Sequence, residues 1–350
     1  MLLAAYAAAP AAQGASRSTP DPSPNRGPQS IQEELRLAGD YMAGRGVAKD
    51  AAQAAYWYKK AADQGDPAAQ NQLGYLYVWG IGVDQDAAQA AKWFTRASSQ
   101  GWEPAKANLA VLYLRGLGVR RDTSLAFDLL NQLAAKKNAR AEDYLGAMYF
   151  SGYGVEQNRA TAEKWFRLAA KGHNPEGEYA MGALYSDTPD HEHNYRKAAR
   201  FLRESARAGF VPAMSSLGIL LVNHPEIPRK GADEPIVMLT RAAQAGTWES
   251  SASLGVLARA GHGRSRDLAE AFRWFTIAIR QGGSEADERM HRDLVRCRQA
   301  LSADQQNEEE QAANAWLTQH PHADLFVFDN PVHSQFPTAE ILAIEQRGME

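Results

Sequence analysis

Pairs of glycines recur in the sequence in a form that could hold a phosphate. The stretch GYLYVWGIGVDQDAAQAAKWF, residues 74–94, contains GxGV followed by an aspartate. A glycine-rich loop at a helix N-terminus can surround phosphate oxygens with backbone N–H groups. A phosphate loop also needs a preceding strand and, in its stronger form, a following Lys-Ser/Thr pair, and this stretch has neither. We therefore interpret the glycines chiefly as residues that end a helix and turn the chain.

Two groups of histidine and acidic residues have side chains of the kind that hold divalent metals: His191, Glu192 and His193, and His320, His322 and Asp324. Imidazole and carboxylate are common ligands of such metals. The first group is expected in a turn and the second at the start of the C-terminal tail. Histidines two residues apart in loops are usually only solvated, so we predict neither a metal nor any other cofactor.

The single cysteine, Cys297, is the remaining candidate for covalent chemistry. One cysteine excludes an intramolecular disulfide, and its position excludes a lipid attachment site near the N-terminus. Because the surrounding RDLVRCRQAL predicts a helix, we interpret Cys297 as a packed thiol rather than a nucleophile. The sequence contains no GxSxG, no HExxH and no dinucleotide-binding fingerprint. We predict that the protein is not an enzyme, and a site assembled from scattered residues stays as an alternative.

The glycine pairs belong to a longer repeat. They return in YMAGRGVAKD at 41, YVWGIGVDQD at 77, YLRGLGVRRD at 113 and YFSGYGVEQN at 149. A buried-type marker recurs every 36 residues, and once after 37, at Leu37, Leu73, Leu109, Leu145, Met181, Leu217 and Leu254. Periods of this length indicate stacked supersecondary units. The chain therefore contains seven repeats, and the extra residue lies in VNHPEIPRKGADEP, which predicts a lengthened loop.

Each repeat predicts two short amphipathic helices, which we call helix A and helix B. In the second repeat, Asp66 and Pro67 give the N-cap and first-position signals of helix A, and Gly80 ends it. Helix B opens at Asp86, with Gln89 three residues later. Equivalent starts of helix A are expected at Glu103-Pro104, Asn174-Pro175 and Val211-Pro212. One such helix pair is too small to bury its apolar face, so the repeats must stack into a continuous core.

The pattern A-x-x-x-L-G-x-(L/M)-Y-x-x-G-x-G-V-x-x-(D/N)-x-x-x-A-x-x-(W/Y)-(F/Y)-x-x-A resembles the Sel-1-like repeat, a relative of the tetratricopeptide repeat. The resemblance covers about residues 30–283, although the fifth and sixth repeats lack GxGV. It implies an all-α fold: a right-handed α/α superhelical solenoid of about seven repeats. The residues after the last repeat, EADERMHRDLVRCRQALSADQQNEEEQAANAWL, predict two C-terminal capping helices. It also implies a scaffold for protein–protein contacts, in bacteria often exported. The family has no shared catalytic residues, so none is carried over.

The sequence predicts five segments along the chain. The solenoid occupies 30–283, capping helices 284–318 and a tail 319–350, after an N-terminal segment 1–15 and a Pro-rich linker 16–29. The tail contains an apolar run at Leu325 to Phe328. Two interpretations of it stay open: it folds back on the helices, or it is a strand that binds a partner or docks on its own chain.

The N-terminal segment bears on location. Residues 1–16 carry no charge and suit the apolar region of a signal peptide, but a basic region before it is missing. Either the true start lies upstream and the protein is periplasmic or secreted, or the segment is an Ala-rich disordered end and the protein is cytoplasmic. We expect export, and no stable membrane span, because the apolar stretch is too short.

The charge balance narrows the class of partner. The net charge is −3 with 23% charged residues, so no strong field favours nucleic acid or an anionic membrane. A protein or peptide is the expected partner.

A candidate binding surface lies on helix A, opposite the predicted core residues Leu73, Leu76 and Tyr77. Positions on that face vary between repeats, which suggests that packing does not determine them. The predicted partner-binding residues are Gln72, Tyr75, Trp79, Asn108, Val111, Arg115 and Tyr144. For Tyr75 and Trp79 the alternative is packing against the neighbouring repeat.

From these observations we expect a non-enzymatic scaffold or adaptor that binds a protein or peptide on the concave face of the solenoid, in the bacterial envelope. Two alternatives remain: an immunity or inhibitor protein that neutralises a secreted toxin, and an envelope enzyme with an unrecognised site.

Overall fold

A computed structural model of the chain describes residues 30–187, 191–261, 265–283 and 288–320, and within these ranges it contains sixteen α-helices and no strand. The predicted signal segment and linker, and all of the tail beyond His320, lie outside the described residues. The chain divides into two compact units, Met1–Asp86 and Ala87–Glu350, which we call the N-terminal and C-terminal units.

The helices follow the predicted A/B alternation. The N-terminal unit contains α1 (Ile31–Ala43), α2 (Ala51–Asp63) and α3 (Pro67–Trp79). The C-terminal unit contains α4 (Ala87–Ser99), α5 (Glu103–Arg115), α6 (Thr123–Ala134), α7 (Ala139–Ser151), α8 (Arg159–Lys171), α9 (Pro175–Ser186), α10 (His191–Arg207), α11 (Val211–Asn223), α12 (Glu234–Gln244), α13 (Trp248–Ala260), α14 (Leu268–Gly282), α15 (Glu288–Gln299) and α16 (Ala303–Gln319). Odd numbers up to α13 are A helices and even numbers up to α14 are B helices. The predicted all-α fold is confirmed, with seven A helices and seven B helices among the described residues.

The A helices of the C-terminal unit lie in the interior. Each helix from α4 to α14 packs against the next, and A helices also contact each other, as α7 does α9 and α11 does α13. Every residue of α7 from Ala141 to Met148 is buried. B helices instead bury one stripe, because their outer side faces solvent. A small residue on helix A admits the large one on helix B: a Cβ on Gly146 would lie 2.7 Å from the Phe166 ring.

Local signals place most helix ends where the sequence predicts them. The Asp66 carboxylate accepts a hydrogen bond from the Ala69 N–H at 2.7 Å, and Asp50 accepts one from the Gln53 N–H at 3.0 Å. Two starts are shifted by one residue. Glu103 is the first residue of α5, not its N-cap, so the proline that follows it occupies the second helical position; Val211 in α11 is equivalent.

The glycine pair of the third repeat shows what GxGV does. Gly116 ends α5 in the left-handed conformation, with φ of 69°, and its N–H donates to the Leu112 carbonyl. Gly118 has φ of 67°, and a Cβ there would lie 2.1 Å from the carbonyl carbon and oxygen of Ala87, the first residue of α4. The interpretation as a helix stop and turn is confirmed. The second glycine also lets the turn rest directly on helix B of the preceding repeat.

The fifth and sixth repeats turn differently. Helix α10 already begins at His191, so the histidines expected in a turn lie in the first helical turn, and that prediction was wrong. The predicted lengthened loop is confirmed at residues 224–233, between α11 and α12. It is held by Arg203, which contacts Glu234 through two hydrogen bonds of 2.7 and 3.0 Å and donates a third to the Pro228 carbonyl at 2.7 Å.

Two further helices cover the last repeat, as predicted. Both α15 and α16 pack against α14. The buried Asp293 of α15 pairs with Arg259 of α13 at 3.3 Å. Trp316 of α16 meets Trp274 of α14 edge to face, with ring centroids 4.9 Å apart. Because buried ion pairs and aromatic contacts need defined geometry, these contacts fix where the two helices dock.

Candidate protein-interaction surfaces

In the N-terminal unit, three predicted partner-binding residues lie on α3. The Tyr75 side chain is 39% exposed, and its ring meets that of Trp79, one helical turn later, at 6.1 Å between centroids. Gln72 and Trp79 are half-buried. Partial burial raises the pKa of the Tyr75 hydroxyl, so it stays neutral and able to donate a hydrogen bond. This group offers an aromatic contact area with a polar rim, and its role in binding stays a prediction.

In the C-terminal unit, three of the four predicted residues are not on the surface. Val111 has no exposed area and Tyr144 is 2% exposed, and both belong to the core formed by α5, α6 and α7. Asn108 is also buried. The assumption of a free outer face on these helices was wrong, because the A helices are enclosed by both neighbouring B helices and by the next A helix. Only Arg115 is partly exposed there.

Asn108 and Tyr144, the buried polar residues of this group, both contact Arg140. Arg140 donates a hydrogen bond to the Asn108 side-chain oxygen at 3.3 Å, and its guanidinium lies 5.8 Å from the centre of the Tyr144 ring. Burial raises the pKa of Tyr144, while the positive charges of Arg140 and Arg115 act in the opposite direction. Such a satisfied network fixes the register of α5 against α7. Its place in the structure is packing.

A surface that the sequence analysis missed lies on α10. Arg196, Lys197 and Arg200 are all exposed there, and we call these three residues the α10 basic face. At 100° per residue they fall within one side of the helix. The signal was present in the sequence, since the equivalent positions of other B helices are mostly uncharged: Ala160, Thr161 and Lys164 in α8, and Ala88, Gln89 and Lys92 in α4.

Aromatic rings lie beneath two of these cations. The Lys197 ammonium is 5.3 Å from the centre of the Tyr185 ring, and the Arg200 guanidinium is 5.0 Å from that of Phe201. The two rings stack on each other at 5.8 Å with an interplanar angle of 11°. Cations over aromatic faces are attracted to the rings and lose some conformational freedom. The arrangement therefore presents partly ordered positive charge beside apolar area.

Buried carboxylates form a third feature, at the turns that lead from helix B to the next helix A. Glu142 and Glu178 lie in the fourth residue of α7 and α9, and burial raises the pKa of both. Five residues before each stands a basic residue in the left-handed conformation, Lys137 with φ of 61° and His173 with φ of 56°. The charge of Lys137 lowers the pKa of Glu142, against the larger effect of burial, and His173 acts likewise on Glu178.

Other repeats have glycine at the left-handed position and no carboxylate five residues later. The pairs are Gly65 with Gln70, Gly101 with Lys106, Gly209 with Met214 and Gly246 with Ser251. A non-glycine residue in this conformation costs about 1–2 kcal/mol. The non-glycine residue is thus found where contact with a buried carboxylate can offset that cost.

The sequence model of the Sel1 repeat matches residues 34–66, 67–102, 104–138, 139–174, 175–210 and 248–283, together more than half of the chain. The chain belongs to the Sel1 repeat family. The unmatched interval contains the sixth repeat, which lacks GxGV and has the lengthened loop, yet α11 and α12 pack as the other Sel1 helix pairs do.

Solved structures share the Sel1 repeat fold. A Sel1 repeat protein from Oxalobacter formigenes superimposes with a TM-score of 0.60 at 24% identity, over 72% of this chain and 99% of that one. A protective antigen of uropathogenic Escherichia coli strains with an SLR fold gives 0.45 at 24%, over 83% and 69%. An immunity protein from Pseudomonas aeruginosa gives 0.45 at 19%, over 61% and 81%, too weak a likeness to bear on function. No curated protein sequence matches significantly.

The chemical candidates of this Sel1 repeat protein occupy structural positions where the structure describes them. Cys297 is buried, and burial raises its pKa to about 11, so it is protonated at neutral pH. The His320 ring lies 4.1 Å from that of Trp316, whereas His322 and Asp324 lie outside the described residues. The described residues contain no group of three or more metal-binding side chains. Nor does any described helix have the length and apolarity needed to cross a bilayer.

Proposed function

We propose that this Sel1 repeat protein is a non-enzymatic scaffold that binds a partner protein or peptide. The observation that carries the proposal is the match of six repeats to the Sel1 family, whose members are protein-interaction scaffolds. The packing of the repeats also supports the proposal. Each repeat buries its own helix pair against its neighbours, so the fold does not depend on the exposed residues, which are then available for recognition.

The proposed contact area in the N-terminal unit is centred on Tyr75 and Trp79, on the helix A face that we assign to the concave side of the solenoid. Large aromatic side chains with few rotatable bonds lose little entropy on binding and are frequent anchors of interfaces. Tyr75 is half-exposed, with one face already supported by the ring of Trp79. Such a side chain is ordered before the partner arrives, which lowers the cost of association.

We further propose that the protein works in the bacterial envelope or outside the cell, on the basis of the uncharged, Ala-rich residues 1–16. The test is a fusion of this segment to alkaline phosphatase, which is active only after export. Phosphatase activity comparable to that of a known signal-peptide fusion supports export. Activity no higher than that of a leaderless fusion, both for this segment and for one extended by the codons upstream of Met1, refutes export.

The binding proposal is tested by affinity capture from the native host, followed by calorimetry with the purified partner. Tyr75→Ala is expected to weaken the measured affinity by about tenfold or more, as for an interface anchor. Tyr56→Ala is the matched control, because Tyr56 is a tyrosine of the same unit that is 50% exposed on α2. Circular dichroism verifies that both variants are folded.

Three results separate the parts of the proposal. Loss of affinity in the Tyr75 variant alone supports both the scaffold function and the α3 surface. Equal binding by all proteins retains the scaffold and rejects the surface. Failure to capture any stoichiometric partner, together with hydrolytic activity in the purified protein, rejects the scaffold function in favour of an enzyme.

A further inference from the structure

The α10 basic face differs from the other charged positions around it, because its cations have no carboxylate partner among the described residues. Three acidic residues described in this part of the chain pair with other cations: Glu204 with Arg207 at 2.7 Å, Glu234 with Arg203 at 2.7 Å and Asp187 with Arg159 at 2.9 Å. Neither Arg196, Lys197 nor Arg200 takes part in any ion pair of the described part of the chain.

The support beneath the α10 basic face restricts how that charge is presented. The Tyr185 and Phe201 rings come from α9 and α10, which pack closely, so the stacked pair fixes both helices at this point. Lys197 and Arg200 lie over the two rings and are held near the surface. Side chains ordered in this way give up less rotamer entropy when they bind a carboxylate than free ones would.

We propose that the α10 basic face, with the Tyr185–Phe201 stack, binds a short acidic segment of a partner protein. This inference rests on the proposed scaffold function and names the chemistry of its partner. Three cations within one side of a helix match two or three carboxylates on an extended peptide, and guanidinium groups bind carboxylates with two parallel hydrogen bonds. The half-buried rings add apolar contact for a neighbouring Leu or aromatic residue of that segment.

Charge distribution favours an acidic peptide over nucleic acid as the occupant. Nucleic-acid binding needs a basic surface extended along several phosphates. Here the basic positions are confined to one face of one helix in a chain whose net charge is −3. Glu192 also precedes Arg196 by four residues, so positive charge does not continue to the start of α10. A local match with a few carboxylates suits this pattern.

The test measures fluorescence anisotropy of labelled synthetic peptides rich in Asp and Glu, each with one Leu, against their Asn/Gln counterparts. The full-length protein is expected to bind the acidic peptides, and less tightly as salt increases. The triple variant Arg196→Gln, Lys197→Gln, Arg200→Gln is expected to lose at least about tenfold in affinity. The control Lys92→Gln, Lys164→Gln, Lys171→Gln removes the same charge from exposed positions of α4 and α8 and is expected to stay within about twofold of wild type.

Three results would overturn the proposal. Equal loss of peptide affinity in both triple variants would mean that overall charge, not the α10 basic face, attracts the peptides. No peptide binding at all would mean that the face is only solvated, and binding of an oligothymidylate probe that is lost in the α10 variant, with no binding of the acidic peptides, would mean that the face binds nucleic acid. Folding is not at issue, because all six substituted side chains are exposed.

The same variants distinguish this failure from failure of the scaffold function. If the captured native partner binds the α10 variant as tightly as wild type, the scaffold stands and the α10 site is rejected. If no native partner exists but acidic peptides bind in the expected way, the site stands and the scaffold function loses its support.

Discussion

The third and fourth repeats, α5 to α8, and the sixth repeat, α11 and α12, fix the turn between helix A and helix B by different means. In the former, left-handed glycines such as Gly118 turn the chain and let it rest on the preceding B helix. In the latter, no described glycine between helix A and helix B is left-handed. Loop 224–233 is held instead by Arg203 and Glu234, 31 residues apart.

The difference shows that Sel1 helix pairs do not require the glycine turn. What they require is that the turn be fixed, either by close backbone contact or by a buried ion pair. The turn held by close backbone contact recurs every 36 residues and does not use charged side chains. The ion-pair solution occurs in the same part of the chain as the α10 basic face, where charged side chains have replaced the regular turn.

The largest effect is expected from Gly118→Ala, which disrupts the glycine turn of the third repeat. A Cβ would collide with the backbone of Ala87, and the left-handed conformation adds strain, so the free energy of unfolding should fall by about 4 kcal/mol. Guanidinium unfolding monitored by circular dichroism measures it. Gly101→Ala is the control, since Gly101 has φ of 84° but nothing within 4 Å of an added Cβ. An equal loss in both variants would mean that strain, not contact with the preceding repeat, makes glycine necessary.

Arg203→Ala removes the ion pair that holds the loop of the sixth repeat. The free energy of unfolding is expected to fall by about 3 kcal/mol, because the buried Glu234 carboxylate is left without its cation. The backbone N–H of Lys230 would remain its partner, at 2.7 Å. Arg207→Ala serves as control, since the exposed pair of Arg207 and Glu204 should contribute about 0.5 kcal/mol or less. If the two variants unfold at the same guanidinium concentration, the ion pair does not hold the loop.

A smaller effect sharpens the comparison at the turns from helix B to helix A. Gly209→Lys places a lysine in the left-handed conformation before Met214, with no buried carboxylate five residues later, and should destabilise the protein by about 1 kcal/mol. Lys137→Gly removes a similar strain but also the charge beside Glu142, so its unfolding free energy should change by less. Thermal unfolding of both variants provides the test. A larger loss for Lys137→Gly would show that the charge outweighs the strain.

The smallest effect concerns pH. Burial and the nearby Glu204 raise the pKa of Glu178 above its ordinary 4.5 in the folded protein. The folded state then binds the proton more tightly than the unfolded chain, so this group stabilises folding most below pH 4.5, and stability declines as the pH rises towards the folded pKa. Glu178→Gln should flatten that decline in the free energy of unfolding measured between pH 4 and 7, whereas exposed Glu156→Gln should not. An unchanged slope in Glu178→Gln would contradict the pKa shift.

Local features of the fold could be predicted from sequence because their causes are local. Asp50 and Asp66 cap helices through hydrogen bonds to residues three positions later, and Gly116 ends a helix by its own conformation. The exact starts of α5 and α11 were missed, where Trp102 and Phe210 occupy the N-cap without a side-chain bond. Such signals need no knowledge of the neighbouring repeats.

The candidate site could be predicted only in part, because exposure depends on several repeats at once. The residue types at the positions of Val111 and Tyr144 differ between repeats, which suggested that packing does not determine them. In the structure both side chains are buried between one repeat and the next, so the packing at these positions differs from repeat to repeat. The contact of Arg203 with Glu234 has no counterpart at 36-residue spacing in the sequence, so the repeat pattern does not predict it. The α10 charges were visible in the sequence, but what distinguishes them is the stacked pair beneath, which needs α9 in place.

The left-handed Lys137 has a consequence for how such a chain can be recombined. Lys137 belongs to the turn after α6, whereas the Glu142 carboxylate belongs to α7, so the natural boundary between modules passes between two residues that compensate each other. A chimeric array joined at that turn would inherit one without the other. Joining within helix A, after its fourth residue, keeps Lys137 and Glu142 in the same module. The module then retains both charges when it is placed beside a different repeat.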